Sequence, residues 1–413
     1  MSELQFKLRQ LTGRMWFMPA VFSAVAVLTA VAAYFLTAFA PDELPFVMPT
    51  DAVRSILEIL ASSLLTVAVF ALSTVVGALS SASSSTTPRA VPLITGDRAA
   101  QSTISIFIGA FLFSIVGIIG LSVGIYSEAG RLVLFLVTLA VVLLVVAALL
   151  RWIGLISAIG RVGQTIDAVE TATRNAVATL KEHPLFDCSA MEGKPEGAPV
   201  KSEETGYVQH FSADRLAELA EKHDLVCYVL ARPGAYVTPL RPLLRVVGAV
   251  DEDLEGKLRG CFSVADARTF DADPRFGLVV LGEIGDKAMS AAINDPGTAI
   301  DIIDTTTRVL LDWPAERAGD EPHERVFVAP IEAADLIEDV FRPIARDGAH
   351  LIEIVQRLLR SLETLAACQP WLRRAALDFS ADVVSRAEAA LTAQSDRKAL
   401  VRAAEFLSDK NNI

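Results

Sequence analysis

The chain has 413 residues, 52% of them hydrophobic, and a positive mean hydropathy. A soluble protein of this length has too little interior for that apolar content, and the apolar residues crowd into the first 150 positions, so a membrane sector followed by a polar half is expected. The net charge of −12 sits in the second half: residues 1–161 carry 9 basic and 7 acidic groups, residues 162–413 carry 28 and 42, a balance that excludes general attraction for nucleic acid or for anionic headgroups.

Four uncharged or nearly uncharged runs predict four membrane spans: Trp16 to Ala40, Ile56 to Leu79 with Glu58 near its start, Ile104 to Tyr126, and Leu132 to Leu150. Each is near the roughly 20 residues that cross a bilayer core. Lys7, Arg9, Arg14, Arg89, Arg98, Arg151 and Arg161 flank one side, and only Arg54 and Arg131 the other. This bias predicts that both termini and the C-terminal half are cytoplasmic. No ionisable residue lies deep in a span, which argues against an ion-coupled transporter.

The second span carries Ser62, Thr66, Ser73, Gly77, Ser80 and Ser84 at helical spacing, so these fall on one narrow face. Such a face suits a pore lining or close helix packing, and the six residues are the pore-lining candidates. The third span has Gly117, Gly120 and Gly124 on one side, a close-packing surface. The Ser/Thr run from Ser80 to Thr87 ends in Pro88-Arg89 and reads as a helix end, an ion-coordinating turn or a polar loop.

Residues 162–181 form a predicted helix with a short apolar seam (Val162, Ile166, Val169, Thr173, Ala176, Leu180), either a self-associating neck or a helix packed on its own domain. Residues 184–204 read as a Pro- and Gly-rich linker. Tyr207–Phe211, Leu225–Leu230 and Leu243–Val250 read as strands, and Ser212-Ala213-Asp214 starts a short helix. Asp295 is placed to cap a helix with Pro296 in its first turn. Amphipathic helices follow over 331–342, 346–367, 371–392 and 395–408. The expected fold class is a mainly α membrane protein: four transmembrane helices in 1–155, a neck helix and linker in 156–204, a small β subdomain in 205–265, and a helical domain in 266–413. The cytoplasmic part is therefore α+β.

Phosphate-loop, dinucleotide, zinc-hydrolase and GxSxG motifs are absent from the sequence. The four cysteines and five histidines show no metal-ligand spacing. The acidic residues Asp271, Asp273, Glu283, Asp286, Asp295, Asp301 and Asp304 cluster without an adjacent nucleophile, as solvated surface and helix caps do. The expectation is a non-enzyme with no catalytic residues, no cofactor and no metal.

Several motifs nevertheless resemble those of bacterial predicted membrane proteins, the domain of unknown function 2254 family. They are Ala82-Ser83-Ser84, Pro88-Arg89, Asp97-Arg98, Gly206-Tyr207-Val208-Gln209, Phe276-Gly277, and Ile293-Asn294-Asp295-Pro296 with Thr298-Ala299. The resemblance runs to about residue 315. It departs at Ser85–Thr87, where the family has a Gln and an aromatic residue, and at Pro233-Gly234-Ala235, where it has Pro-Gly-Asp. It implies four spans in a bacterial inner membrane and a cytoplasmic domain, and supplies no activity. It also singles out Pro88, Arg89, Asp97 and Arg98 at the cytoplasmic junction, and Tyr207, Asn294, Asp295, Pro296 and Thr298 as ligand or interface candidates. Two readings follow. One is a homo-oligomeric channel or pore-like protein with a cytoplasmic vestibule, whose partners are the lipid bilayer, further copies of itself and inorganic cations. The other is a membrane-anchored cytoplasmic module that binds a ligand or partner.

Overall fold

A computed structural model describes residues 17–35, 49–95, 98–156 and 161–408. The chain divides into two compact units, Met1–Gln164 and Thr165–Ile413.

The first unit is helical: α1 (Phe17–Phe35), α2 (Thr50–Ser85), a 3₁₀ turn at Pro88–Ala90, α3 (Val91–Thr95), α4 (Arg98–Ser122) and α5 (Glu128–Ile156). Three stretches are long and apolar enough to cross a membrane: Thr50–Ala78, Ala100–Ser122 and Gly130–Leu155. Of the four expected spans, these three are long and apolar enough among the described residues. The first run does form a helix, but its apolar stretch among the described residues, Phe17–Thr29, is shorter, and part of the predicted run lies outside them. The Ser/Thr run resolves as a helix end. α2 continues to Ser85, helped by the Ser84 hydroxyl donating to Ser81 O at 2.8 Å, and the Thr87 side chain accepts from Arg89 N to start the 3₁₀ turn.

Helix α4 is central: 56% of its most apolar stretch is buried, against 28% in α2 and 22% in α5. Its glycines explain why. A Cβ at Gly109 would lie 3.3 Å from the Phe22 carbonyl of α1, and one at Gly117 3.0 Å from Leu57 of α2. Gly124 has another role. Its φ of +73° and the bonds Gly124 N→Leu121 O and Ile125 N→Gly120 O form a Schellman stop.

The second unit opens with α6 (Val162–Glu182). It continues through β1 (Cys188–Ala190), β2 (Ala198–Lys201), β3 (Gly206–Phe211), α7 (Ala213–Lys222), β4 (Val226–Val229), β5 (Tyr236–Val237), β6 (Pro242–Val247), α8 (Glu252–Arg259) and β7 (Phe262–Ala265). Then come α9 (Pro274–Met289), α10 (Pro296–Asp312), β8 (His323–Val328), α11 (Ala333–Asp347), α12 (Ile352–Cys368), α13 (Arg373–Ala390) and α14 (Gln394–Ala403). Ile166, Val169, Thr173, Ala176 and Leu180 are buried within the chain, so the α6 seam packs on its own unit. The strands form a five-stranded sheet in the order β1-β8-β4-β6-β2 and a three-stranded sheet β5-β3-β7. Strands β1 and β2 arise from the stretch read as a linker, and β8 returns from beyond residue 320 to pair in parallel with β1 and β4. The β structure thus spans 188–328 rather than 205–265. A core of Leu216, Leu225, Cys227, Leu244, Leu258 and Val326 joins the sheet to α7 and α8.

Among the C-terminal helices, α9 crosses α11 closely. A Cβ at Gly282 would meet the Asp339 carbonyl at 2.9 Å, and one at Gly285 would meet Ile344 at 2.7 Å. Gly277 faces α6, where a Cβ would fall 1.8 Å from Thr173 Oγ1.

Candidate functional site

In α2 the apolar positions Val53, Leu57, Leu60, Leu64, Ala68, Ala71 and Val75 are buried, at the 3–4 spacing of a packed helix face. The remaining arc points away from the bundle. Ser62, Thr66, Ser73, Gly77, Ser80 and Ser84 are all exposed on it, and a Cβ at Gly77 would meet nothing within 4 Å. The six pore-lining candidates therefore share one face that the described residues of the first unit leave uncovered. Local bonds satisfy several hydroxyls: Ser62 donates to Ile59 O (3.1 Å), and on the neighbouring line Ser63 donates to Ile59 O (2.7 Å) and Thr74 to Phe70 O (2.9 Å). At 100° per residue, Asp51, Ser55 and Glu58 continue the same face towards the start of the helix. Glu58 pairs with Arg54 at 2.8 Å, both about half exposed. Val69 and Phe70 also lie exposed along the arc, so the face is mixed.

At the candidate junction Pro88 and Arg89 are exposed around buried Ala90. Arg98 opens α4, and Asp97 lies outside the described residues.

The Asn294-Asp295-Pro296 turn is a helix cap. Asn294 has φ +47°, and its N–H donates to Ser290 O (2.8 Å), while Asp295 N–H donates to Ala288 O (2.8 Å), so the turn is fastened to the end of α9. Both Asp295 carboxylate oxygens are engaged: Oδ1 accepts from Thr298 N (3.1 Å) and Oδ2 from the Thr298 hydroxyl (2.7 Å). The hydroxyl bond above all holds the Asp295 carboxyl below its usual range. Pro296 stands in the first turn, where no N–H is needed. Tyr207 sits on β3, opposite Tyr236, with the ring centroids 5.1 Å apart.

Three other residues of the acidic cluster sort in the same structural way. Asp286 pairs with Arg346 (2.8 Å), and Asp304 with Arg357. Asp273 is 3% exposed, caps α9 through Phe276 N, and accepts from Arg268 at 2.7 Å. Burial pushes its carboxyl above the ordinary aspartate range despite that cation. Its carboxylate also touches the Pro233-Gly234 turn, where Gly234 has φ +91° and a Cβ would fall 2.2 Å from Oδ2. The sequence reading missed this junction, although the Pro-Gly pair and Phe276-Gly277 flagged both its sides. It also missed the bidentate pair of Arg232 with Glu316 (2.6 and 2.8 Å), whose carboxylate is nearly fully buried.

Burial raises the thiols of Cys188 and Cys227 to about 12 and that of Cys261 to about 11, so these three are unreactive core residues. Among the described residues no three His, Cys, Asp or Glu side chains are grouped to hold a metal ion.

The family model described as "Predicted membrane protein (DUF2254)" matches residues 12–364. The chain belongs to this family. Relatives of the chain include the uncharacterized proteins Rv1290c of Mycobacterium tuberculosis and Mb1321c of Mycobacterium bovis. Each is 26% identical over 379 residues, covering 86% of this chain and 72% of the relative. No solved structure matches. Helices α13 and α14 lie beyond the region matched by the DUF2254 model.

Proposed function

We propose that this protein is a homo-oligomeric, pore-like protein of the bacterial inner membrane, with four spans, both termini in the cytoplasm, and α2 facing the partner copies and a cation path. The observation that carries this reading is the uncovered line of Ser62, Thr66, Ser73, Gly77, Ser80 and Ser84 on α2, opposite its packed apolar face. Lipid chains gain nothing from small hydroxylated residues. A second helix gains close approach and a wet lumen gains hydrogen-bonding partners. Asp51 and Glu58 on the same face would form acidic rings at one mouth, the arrangement that favours cations.

The test is cation flux through the purified full-length protein in liposomes. Conduction is expected, with a several-fold loss in Ser73→Leu and Ser80→Leu. Silence under voltage and membrane tension would overturn the reading.

A further inference from the structure

Five non-glycine positions among the described residues have positive φ, and three of them are consecutive: Leu185 (50°), Phe186 (59°) and Asp187 (61°). With ψ of 31° and 35° at the first two, this is a left-handed turn. L-residues visit that region singly, because each incurs a steric cost between its Cβ and the following carbonyl. A run of three persists only where its surroundings hold it. The turn is the covalent link between α6 and β1.

A small set of contacts holds it. Leu185 is fully buried, and Phe186 N–H donates to His183 O at 3.0 Å. The Phe186 ring lies in a slot, edge-on to Phe211 with the centroids 5.0 Å apart and the Arg232 guanidinium 5.3 Å from its centre. Arg232 is fixed in turn by Glu316 and by Ala329 O. His183 Nδ1 and Asp187 Oδ2 meet across the turn at 2.8 Å.

The two sides of the turn differ in firmness. Helix α6 is fastened to α10 through Glu170 and Arg308. β1 has three residues at the edge of the five-stranded sheet, and its register with β8 breaks after the first: Cys188 lies beside His323 and Ser189 beside Phe327. A strained turn between a firm helix and a marginal edge strand relaxes by releasing the strand.

We propose that Leu185–Asp187 is a conformational latch. It is closed while Phe186 fills its slot. It opens when the ring withdraws, the turn relaxes to ordinary backbone, and β1 leaves the sheet and frees the edge of β8 that it covers. Opening exposes Leu185 and Cys188, both fully buried, so the open state is a minor one. The inference does not rest on the pore.

Cys188 is a built-in reporter, because a buried thiol is inert and reacts only when the segment around it opens. The experiment uses detergent-solubilised full-length protein with Cys368, the exposed cysteine, replaced by Ser. N-ethylmaleimide is added under native conditions, and each cysteine is followed by peptide mass spectrometry. Cys188 should react about tenfold faster or more than Cys227, which is equally buried on the central strand β4. Phe186→Ala should speed Cys188 further and leave Cys227 unchanged. Asp187→Gly and Asp187→Ala both remove the half-exposed carboxylate, so they differ only in backbone preference. Glycine accepts the left-handed turn and alanine resists it, so Cys188 should react several-fold more slowly in the glycine variant; at an ordinary backbone position the order reverses. This last pair leaves the core intact and decides the matter even if Phe186→Ala loses the fold. Equal rates at Cys188 and Cys227 in the parent protein would overturn the proposal, and so would a Cys188 that reacts as fast in Asp187→Gly as in Asp187→Ala.

Discussion

Asp295 shows how one carboxylate can look like a site and act as a cap. The Thr298 amide and hydroxyl occupy its two oxygens, so it organises the first turn of α10. Asp295→Ala should cost about 1 kcal/mol of stability, and Asp295→Asn only a fraction of that, in thermal denaturation of the detergent-solubilised protein. Gly277 is constrained more severely, because a methyl group there would overlap Thr173 on α6. Gly277→Ala should destabilise by about 1–3 kcal/mol, the usual range for overpacking. Pairing it with Thr173→Ala should recover part of the loss, since the two residues share one contact. Equal losses in the single and double variants would mean that the strain lies elsewhere.

At the scale of elements, α6 is fixed to α10 by charge as well as by packing. Glu170 accepts from Arg308 at 2.7 and 3.1 Å and from Arg174 at 3.1 Å, and Arg174 also pairs with Asp312. The Arg308 guanidinium, helped by Arg174, holds the Glu170 carboxyl below the usual glutamate range. The pairing therefore stabilises the fold above the ordinary glutamate pKa of about 4.3, and this contribution is lost as pH falls through the lowered native value. Glu170→Gln should cost about 1 kcal/mol at neutral pH. The gap between wild type and variant should close in melts taken progressively below about pH 4.

Elements with local signals were legible in the sequence. The helix expected to start at Asp295-Pro296 forms as Pro296–Asp312, and the helix expected from Ser212 forms as Ala213–Lys222 with Ser212 as its cap. Strands β1, β2 and β8 were not legible. They are three to six residues long, and their pairing is non-local: Ser189 lies beside Phe327 and Cys227 beside Val326. In the helical unit the pattern revealed which residues of α2 share a face, but not that the hydroxyl line would point away from the bundle. That depended on α4 presenting glycines to α1 and α2 and so taking the centre.

At the scale of the whole molecule, the outer face of α2 decides what kind of membrane protein this is. Each α2 has one apolar face already covered by α4 and α5, and a second face mixing hydroxyls with Val69 and Phe70. If copies meet through the second face, thiols placed on it should lie within reach of one another in the native membrane. Those on the packed face should not. In the Cys368→Ser background, Ser73→Cys and Gly77→Cys should give cross-linked oligomers with a short bis-maleimide, and Ala71→Cys, fully buried in its own chain, should give none. Gly77→Leu should weaken cross-linking at residue 73 by holding the helices apart, because the glycine now leaves open space beside α2. Chains that remain monomeric at both exposed positions would place the hydroxyl line against lipid, where the local bonds from Ser62, Ser63 and Thr74 to backbone carbonyls make it tolerable. The pore reading would then fail.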